Sequence, residues 1–210
     1  CLVLAGFVFY RPDRLDDGLA RITVMDAGQG LSVLVQTRSR NLLFDTGTAQ
    51  AAQTGIVPSL NAMGVRRLDK LILSHHDSDH DGGLDAVSDI EIGETLAGQP
   101  EFYPNAKFCA EAQWQWDGVD FELLRSSENP VGEDNDRSCV LRVVSDGQAL
   151  LVTGDLGVKG EAGLVERYGS SLYSQVLILG HHGSNTASSG GFLNTVAPKY
   201  AVASSGYANA

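Results

Sequence analysis

The segment Ser74–Gly83 carries the residue types and the spacing of a metal-binding centre. Within it, the pattern H-x-D-x-D-H brings His75, Asp77, Asp79 and His80 into one short stretch. Side chains two residues apart point the same way in an extended chain, so His75 and Asp77 can share one ion. Asp79 and His80 follow where the chain turns towards a helix, which directs them at a second ion. Imidazole nitrogen together with carboxylate oxygen suits Zn²⁺, Mn²⁺ or Fe, so the segment predicts a two-metal centre.

The neighbouring residues limit what belongs to this centre. A register that begins at His76 puts Ser78 and His80 at the spaced positions and leaves both carboxylates unplaced, so His76 is expected behind the ligands or at the surface. Gly82 and Gly83 let the backbone turn sharply and approach its neighbours without Cβ clashes. The alternative interpretation is a solvated turn, which poorly explains so many histidines and aspartates directly after an apolar strand.

Two later strand ends offer the further ligands that two ions need. The run Leu151–Asp155 ends in Thr-Gly-Asp, and Asp155 can bridge two ions, although a strand-end aspartate also caps helices. The run Leu177–Ser184 ends in two imidazoles, His181 and His182. The expected metal ligands are His75, Asp77, Asp79, His80, Asp155 and His181.

This ligand set predicts a hydrolytic chemistry. Its three carboxylates carry −3 against +4 from two divalent ions, so the residual positive charge attracts a phosphate or carbonyl oxygen. Such ions acidify water towards neutral pH and turn it into a nucleophile. We expect Asp79 and His182 to act in catalysis, with His182 contacting a substrate phosphate or serving as general acid.

Other polar positions leave two interpretations open. Asp26 and Asp45 precede glycines at strand ends, where they either shape turns or support metal-ligating histidines. Asn135 and Ser138 precede a strand and either orient a substrate or cap locally. The polar run 183–190 supplies donors to phosphates or is a plain loop.

These clusters all follow predicted strand ends. Apolar runs predict strands at 21–25, 31–36, 41–44, 68–73, 119–124, 139–144, 148–153, 175–179 and 200–203, and helices at 55–63, 161–168 and 192–196. Runs of strands with helices between them predict sheets packed together and flanked by helices.

Composition sets the outer limits. The 210 residues are 43% hydrophobic with no linker or repeat, which predicts one domain over 20–210. A net charge of −11 argues against tight non-specific DNA binding without excluding DNA as a substrate. Cys109 and Cys139 either pair in an oxidising compartment or remain inert buried thiols. The apolar run 1–10 is too short for a membrane span, which needs about 20 residues; it fits a first strand or the end of a membrane helix in a longer chain.

Taken in order, the motifs resemble the metallo-β-lactamase superfamily: H-x-D-x-D-H followed by Gly-Gly, then Gly-Asp, then His-His-Gly-Ser. That superfamily more often has histidine in the place of Asp77, and the departure favours phosphodiesterase-like branches over antibiotic hydrolases. Further motifs are similar to the extracytoplasmic domain of ComEC-type DNA-uptake competence proteins: Met25–Gly30, Leu43–Gly47, Leu68–His75, Asn135–Ser138, Leu151–Asp155, Gly180–Ser184 and Ser204–Gly206.

The resemblance implies an α/β fold, the αββα four-layer sandwich, with a dinuclear Mn²⁺ or Zn²⁺ site at the sheet ends and no small-molecule cofactor. It implies a nuclease that degrades the non-imported strand of transforming DNA, with single-stranded DNA as substrate. Residues 1–12 then become a remnant of a preceding membrane helix or linker. The partner is the membrane channel domain of the parent chain, at the periplasmic face of the inner membrane. In that family the region of Asn135 and Ser138 occupies the place of a further histidine ligand.

Two other functions fit the same residues. One is a small-substrate phosphoesterase or lactonase, which the acidic composition favours. The other is a non-catalytic module that guides DNA, which has no need for so many carboxylates and imidazoles in one place.

Overall fold

The computed structural model describes residues 14–127 and 134–206. The segment 1–12, interpreted above as a remnant of a membrane helix or linker, lies outside the described residues. Within the described ranges, no helix combines the length and the hydropathy needed to cross a membrane.

The first sheet has six strands in the order β1–β2–β3–β5–β7–β8. Its strands are β1 Arg21–Val24, β2 Val33–Gln36, β3 Asn41–Phe44, β5 Lys70–Leu73, β7 Thr95–Ala97 and β8 Lys107–Phe108. The first three strands are antiparallel neighbours, whereas β3, β5, β7 and β8 run parallel. A separate parallel pair joins β4 Arg67–Leu68 to β6 Glu91–Ile92.

The second sheet also has six strands, in the order β14–β13–β12–β11–β10–β9. Its strands are β9 Ala112–Trp116, β10 Val119–Leu124, β11 Val140–Ser145, β12 Gln148–Val152, β13 Val176–Ile178 and β14 Tyr200–Val202. Strands β9 to β12 form an antiparallel meander, and β12, β13 and β14 run parallel. A tight turn at Asp146-Gly147 joins β11 to β12, and both residues have the positive φ that such a hairpin turn requires.

Helices cover the outer face of each sheet. On the first sheet, α1 Ala49–Ala51 continues through a π-helical turn Ala52–Ile56 into α2 Val57–Ala62, and α3 Leu84–Val87 lies beside them. On the second sheet lie α4 Val158–Tyr168 and α5 Gly190–Val196. The predicted helix 55–63 begins earlier because the Thr48 hydroxyl accepts a hydrogen bond from the Ala51 N–H at 3.1 Å and caps it.

Three apolar clusters hold these layers together. The cluster between the sheets includes fully buried Phe44 and Phe121, and Trp114 stacks on Phe121 with ring centroids 5.2 Å apart. A second cluster joins the first sheet to α2 and α3, and a third joins the second sheet to α4 and α5. The order helix, sheet, sheet, helix confirms the predicted αββα sandwich.

This topology sends the polar strand ends to one edge of the sandwich. Parallel strands end at the same edge of their sheet, so the residues that follow β3 and β5 meet there. The residues that follow β12, β13 and β14 meet at the facing edge of the second sheet. Asp45, Ser74, Asp155, His182 and Ser204 are therefore neighbours although the sequence separates them widely.

A disulfide ties the two sheets together close to this edge. Cys109 follows β8, Cys139 precedes β11, and the bond closes a separation of 30 residues. The Cys139 N–H donates to the Ser74 carbonyl at 3.0 Å, so the bridge lies directly behind the histidine segment. Of the two possibilities left open by the sequence, the structure has the paired one.

Removing this bridge should destabilise the domain. In Cys109→Ser/Cys139→Ser we expect the free energy of unfolding to fall by about 3–4 kcal/mol, because a loop of this length regains its closure entropy in the unfolded chain. Urea denaturation followed by tryptophan fluorescence measures the change, with the reduced parent protein as control. Equal unfolding free energies for parent and variant would contradict the prediction.

Candidate metal centre

Asp45 lies at the centre of the hydrogen bonds that organise the site. It follows β3 and is fully buried. Its two carboxylate oxygens together accept three hydrogen bonds. Oδ1 accepts from the Ser74 backbone N–H at 2.6 Å, and Oδ2 accepts from the Ser74 hydroxyl at 2.7 Å and from His80 Nδ1 at 2.8 Å. One carboxylate thus positions both Ser74, directly after β5, and His80, six residues further along the chain.

The same bonds determine which nitrogen of His75 is protonated. The Ser74 hydroxyl has one hydrogen, which it donates to Asp45, so it can only accept from His75 Nδ1, 3.0 Å away. His75 Nε2 is then an unprotonated acceptor. That atom is buried and has no hydrogen-bond partner among the described residues. Burial lowers the pKa of His75, so the ring stays neutral.

Four more side chains converge on the space beside His75. His80 Nε2 lies 3.0 Å from Asp155 Oδ1 and 3.3 Å from His182 Nε2. His182 Nε2 lies 3.1 Å from Asp79 Oδ2 and 3.4 Å from Asp155 Oδ2. Ligand atoms of His75, His80 and Asp155 lie within 4.8 Å of one another, as do those of Asp79, His80 and His182. The two groups share His80, so they form one continuous cluster.

Opposite charges hold this cluster together. Burial disfavours protonation of His80, but the carboxylates of Asp155 and Asp45 outweigh it and raise the pKa of His80 to about 10. Burial likewise opposes protonation of His182, and Asp155 and Asp79 together raise its pKa to about 9. Burial favours the protonated form of Asp79 and Asp155, but the two imidazoles prevail and lower the pKa of both carboxyls.

The segment Ser74–Gly83 packs against neighbouring backbone at distances that only glycine allows. A Cβ at Gly83 would lie 2.4 Å from the Thr46 carbonyl oxygen, and one at Gly30 would lie 2.5 Å from that of Asp79. The Thr46 N–H donates to the His80 carbonyl at 2.7 Å. The segment Ser74–Gly83 therefore packs against the motifs Asp26–Gly30 and Asp45–Gly47.

The His181-His182 pair turns through an unusual backbone conformation. Both residues have left-handed backbone angles, with φ of 49° and 55°, a conformation that costs non-glycine residues roughly 1–2 kcal/mol. This turn directs His182 into the cluster, where its Nδ1 donates to the Ser204 carbonyl at 2.9 Å. His181 lies at the rim: its Nδ1 faces the Thr186 hydroxyl at 2.8 Å, its Nε2 lies 3.8 Å from Asp155, and its side chain is 38% exposed.

The structure thus brings together five of the residues selected from the sequence and leaves two of them, Asp77 and His181, at the edge. His75, Asp79, His80, Asp155 and His182 converge. Asp77 is exposed, and its carboxylate accepts from the Ser78 N–H at 2.6 Å. His76 is also exposed and hydrogen-bonds Asp81 at 2.5 Å. His181 is at the rim described above.

Other residues around the site were not selected from the sequence. Gln99, in the turn after β7, accepts from the His76 N–H at 2.7 Å and donates to Asp134 at 2.8 Å. Phe102 in the same turn stacks on the His76 ring, with centroids 4.1 Å apart, and is 51% exposed. Tyr103 is buried and donates to Asp81 at 2.6 Å.

Two further sets of contacts involve residues for which the sequence left two interpretations open. Ser138 closes a 3₁₀ turn through its N–H and the Asn135 carbonyl at 3.1 Å, and its buried hydroxyl has no hydrogen-bond partner among the described residues. The loop after the histidine pair is held by Glu161, a fully buried carboxylate that accepts from the N–H groups of Ser188 and Ser189 at 2.5 and 2.8 Å. A glutamate within a helix gives no sequence signal for that role.

The donor set fits divalent metal ions. Imidazole nitrogens and carboxylate oxygens at this spacing are the ligands that Zn²⁺ and Mn²⁺ take. The unpartnered, unprotonated Nε2 of buried His75 is the decisive observation, since a buried polar atom without a partner is costly. His80 and His182 are oriented through their Nδ1 atoms by Asp45 and Ser204, as metal-ligating histidines usually are.

Fold and site together define a class of protein. The chain belongs to the metallo-β-lactamase superfamily, whose model matches residues 25–207. Members of this superfamily are generally metal-dependent hydrolases and typically bind divalent metals.

Relatives of known name are competence and recombination proteins. The chain is 71% identical to competence protein ComA of Neisseria gonorrhoeae over 209 residues, which are 100% of the chain and 30% of ComA. It is 33% identical to recombination protein 2 of Haemophilus influenzae over 215 residues, 98% of the chain and 26% of that protein. The resemblance to a domain of DNA-uptake competence proteins is therefore confirmed, and the chain spans less than a third of the length of these relatives.

Solved structures show the same fold. A B3 metallo-β-lactamase with an active-site glutamic acid superposes with a TM-score of 0.62 at 14% identity, over 94% of this chain and 91% of that one. A HARLDQ-motif variant metallo-β-lactamase of Cronobacter sakazakii gives a TM-score of 0.58 at 16% identity, over 90% and 93%.

The organising role of Asp45 can be tested at the level of metal binding. In Asp45→Asn, one acceptor oxygen becomes an NH₂ group, so His80 and Ser74 lose part of their support. We expect affinity for Zn²⁺ or Mn²⁺ to fall about 10- to 100-fold, measured by competition with a chromogenic chelator. Asp26→Asn is the matched control, because Asp26 also lies after a strand and before a glycine, but it is exposed and, among the described residues, accepts only from the Gly28 N–H. Parental affinity in Asp45→Asn would refute the assignment.

Proposed function

We propose that this domain is a metal-dependent phosphodiesterase that cleaves single-stranded DNA, and that it degrades the strand not imported during natural transformation. The observation that carries the proposal is the cluster of Asp79, His80, Asp155 and His182 beside buried His75, whose Nε2 has no hydrogen-bond partner among the described residues. Two divalent ions, Mn²⁺ or Zn²⁺, would be held there, and no small-molecule cofactor is required.

The proposed ligand assignment follows the distances. His75, His80 and Asp155 form one group of donors, and Asp79, His80 and His182 form the other. Bound ions would supply Lewis-acid polarisation of a phosphoryl oxygen and a nucleophile drawn from water. In this assignment His182 is a ligand, and Asp77 approaches from the exposed side.

The remaining residues have roles of their own in this proposal. Half-exposed His181 faces the substrate, where it can hydrogen-bond a phosphate oxygen or donate a proton to the leaving group. Thr186 fixes its Nδ1, which leaves Nε2 directed towards the open side of Asp155. The roles expected from the sequence for His181 and His182 are exchanged accordingly.

The named relatives and the disulfide both support a location for this domain outside the cytoplasm, within a longer membrane protein. The 71% identical protein is called a competence protein, and this chain covers only part of it. We propose that the domain works at the periplasmic face of the inner membrane, attached to the membrane channel domain of its parent chain. The Cys109–Cys139 bond supports an oxidising compartment.

An exposed aromatic pair favours nucleic acid over a small phosphoester or lactone as substrate. Phe102 and His76 stack on each other, and His76 stands between His75 and Asp77 in the sequence. The turn that carries Phe102 follows β7, which ends at the same sheet edge as β5. A nucleobase can extend this stack beside the metal cluster, and such stacking tolerates any base.

Loss of a cluster carboxylate should abolish cleavage. In Asp79→Ala we expect the rate of Mn²⁺- or Zn²⁺-dependent cleavage of single-stranded DNA to fall at least about 1,000-fold, since transition-state charge loses its stabilisation. His80→Ala should behave alike. The matched control is Asp89→Ala, an exposed aspartate in the same part of the chain. The assay also includes bis-p-nitrophenyl phosphate and a lactone; turnover of these alone, or DNA cleavage that survives both changes, excludes the nuclease.

The aromatic stack gives a separate prediction about substrate. Phe102→Ala should raise KM for a single-stranded oligonucleotide about tenfold, because a base–aromatic stack contributes about 1–3 kcal/mol. Phe102→Trp should restore binding, and Tyr173→Ala, another exposed aromatic, serves as control. With an oligonucleotide that is abasic around the cleaved bond, parent and Phe102→Ala should have equal KM. An identical loss on both oligonucleotides would show that Phe102 acts through local structure rather than through stacking.

A further inference from the structure

A pocket of about 320 Å³ lies at the opposite end of the first sheet from the metal cluster. Four arginines line it, Arg14, Arg21, Arg38 and Arg40. Arg38 lies within ion-pair distance of Asp17 and Asp117, and Arg40 pairs with Asp69. The pocket therefore combines two paired arginines with two, Arg14 and Arg21, whose charge no ion pair balances within the described residues.

The position of the pocket separates it from the proposed active site. It is built around the β2–β3 hairpin, between Gln36 and Asn41, and β3 runs from Asn41 away from it to Asp45. At about 3.3 Å per residue, the four steps from Asn41 to Asp45 span roughly 13 Å. A substrate phosphate in the metal cluster cannot also occupy this pocket.

The hairpin is held rigidly. Asp117, in the turn between β9 and β10, accepts from the Thr37 hydroxyl and from the Ser39 N–H, both at 2.7 Å. The Thr37 bond leads the interactions that lower the pKa of Asp117, so that carboxylate stays charged. Arg40 is bound to Asp69 at 2.6 Å, and Arg38 lies 3.4 Å from Asp17. Two of the four guanidinium groups are thus positioned before any ligand arrives.

The other two arginines are available to a ligand. Within residues 14–127 and 134–206, neither Arg14 nor Arg21 forms an ion pair, and both are exposed. A guanidinium group offers parallel N–H donors that match the oxygens of a phosphate. We infer that this pocket binds a phosphate group, with Arg14 and Arg21 as the direct donors and the Asp117-bound hairpin as the frame. A pocket of this size holds one headgroup or one free anion rather than a polymer.

Two sources of such a phosphate are distinguishable by experiment. Calorimetric titration of the metal-loaded domain with inorganic phosphate tests the free anion. Co-sedimentation with phosphatidylcholine vesicles, with and without phosphatidylglycerol, tests an anionic lipid headgroup. The apolar run 1–10 stands a few residues before Arg14 in the sequence, which is the reason for including the lipid arm.

The deciding variant is Arg14→Gln/Arg21→Gln, compared with Lys159→Gln/Lys199→Gln, which removes the same charge from exposed residues outside the pocket. We expect the arginine variant to weaken binding about tenfold or more in at least one arm, because it removes both guanidinium groups that donate to the phosphate. The lysine variant should bind like the parent. DNA cleavage by the arginine variant should stay within about twofold of the parent, because the pocket is remote from the cluster.

Three results would overturn the inference. The first is parental binding by the arginine variant in both arms. The second is an equal loss in the lysine variant, which would indicate only general charge attraction. The third is a loss of single-stranded DNA binding without any loss of phosphate or vesicle binding, which would make the pocket part of a nucleic-acid surface. None of these outcomes depends on whether the metal cluster cleaves DNA.

Discussion

The buried carboxylate of Asp45 is the constraint on which the site depends. A carboxylate can only accept hydrogen bonds, so every group that touches it must direct a proton towards it. Ser74 and His80 do so, and Ser74 in turn forces the proton of His75 onto Nδ1. One residue outside the cluster thereby decides that the inner nitrogen of His75 is an unprotonated acceptor. The buried carboxyl group of Asp45 has hydrogen bonds to both oxygens, and His75 presents a lone pair in a defined direction.

The architecture explains why residues so distant in sequence can share that arrangement. Two sheets face each other through an apolar core, and the parallel strands of each deliver polar loops to one common edge. The disulfide joins the sheets next to the Ser74 carbonyl, so it supports this edge covalently. The cluster of carboxylates and imidazoles lies at one end of the first sheet, and the arginine-lined pocket lies at the other.

Local sequence patterns predicted most of the strands and residues of the candidate site. The features that they missed depend on contacts between segments that are distant in the sequence. The strands that carry the site, and the residues His75, Asp79, His80 and Asp155, follow from apolar runs that end in ligand-type side chains. The sequence does not indicate which of His181 and His182 enters the cluster, because this depends on the left-handed backbone conformation of both residues. Strands β7 and β8, of three and two residues, are too short for any periodicity. The turn of Phe102 and the arginine pocket are assembled from segments with no motif of their own.

The ion pairs of this cluster tie metal binding to pH. The carboxylates of Asp155, Asp45 and Asp79 raise the pKa values of His80 and His182, so each imidazole holds its proton more tightly than a free histidine does. A metal ion binds only the unprotonated nitrogen, so it must displace that proton. Protons and metal ions therefore compete for the same atoms, and the apparent affinity for metal rises with pH.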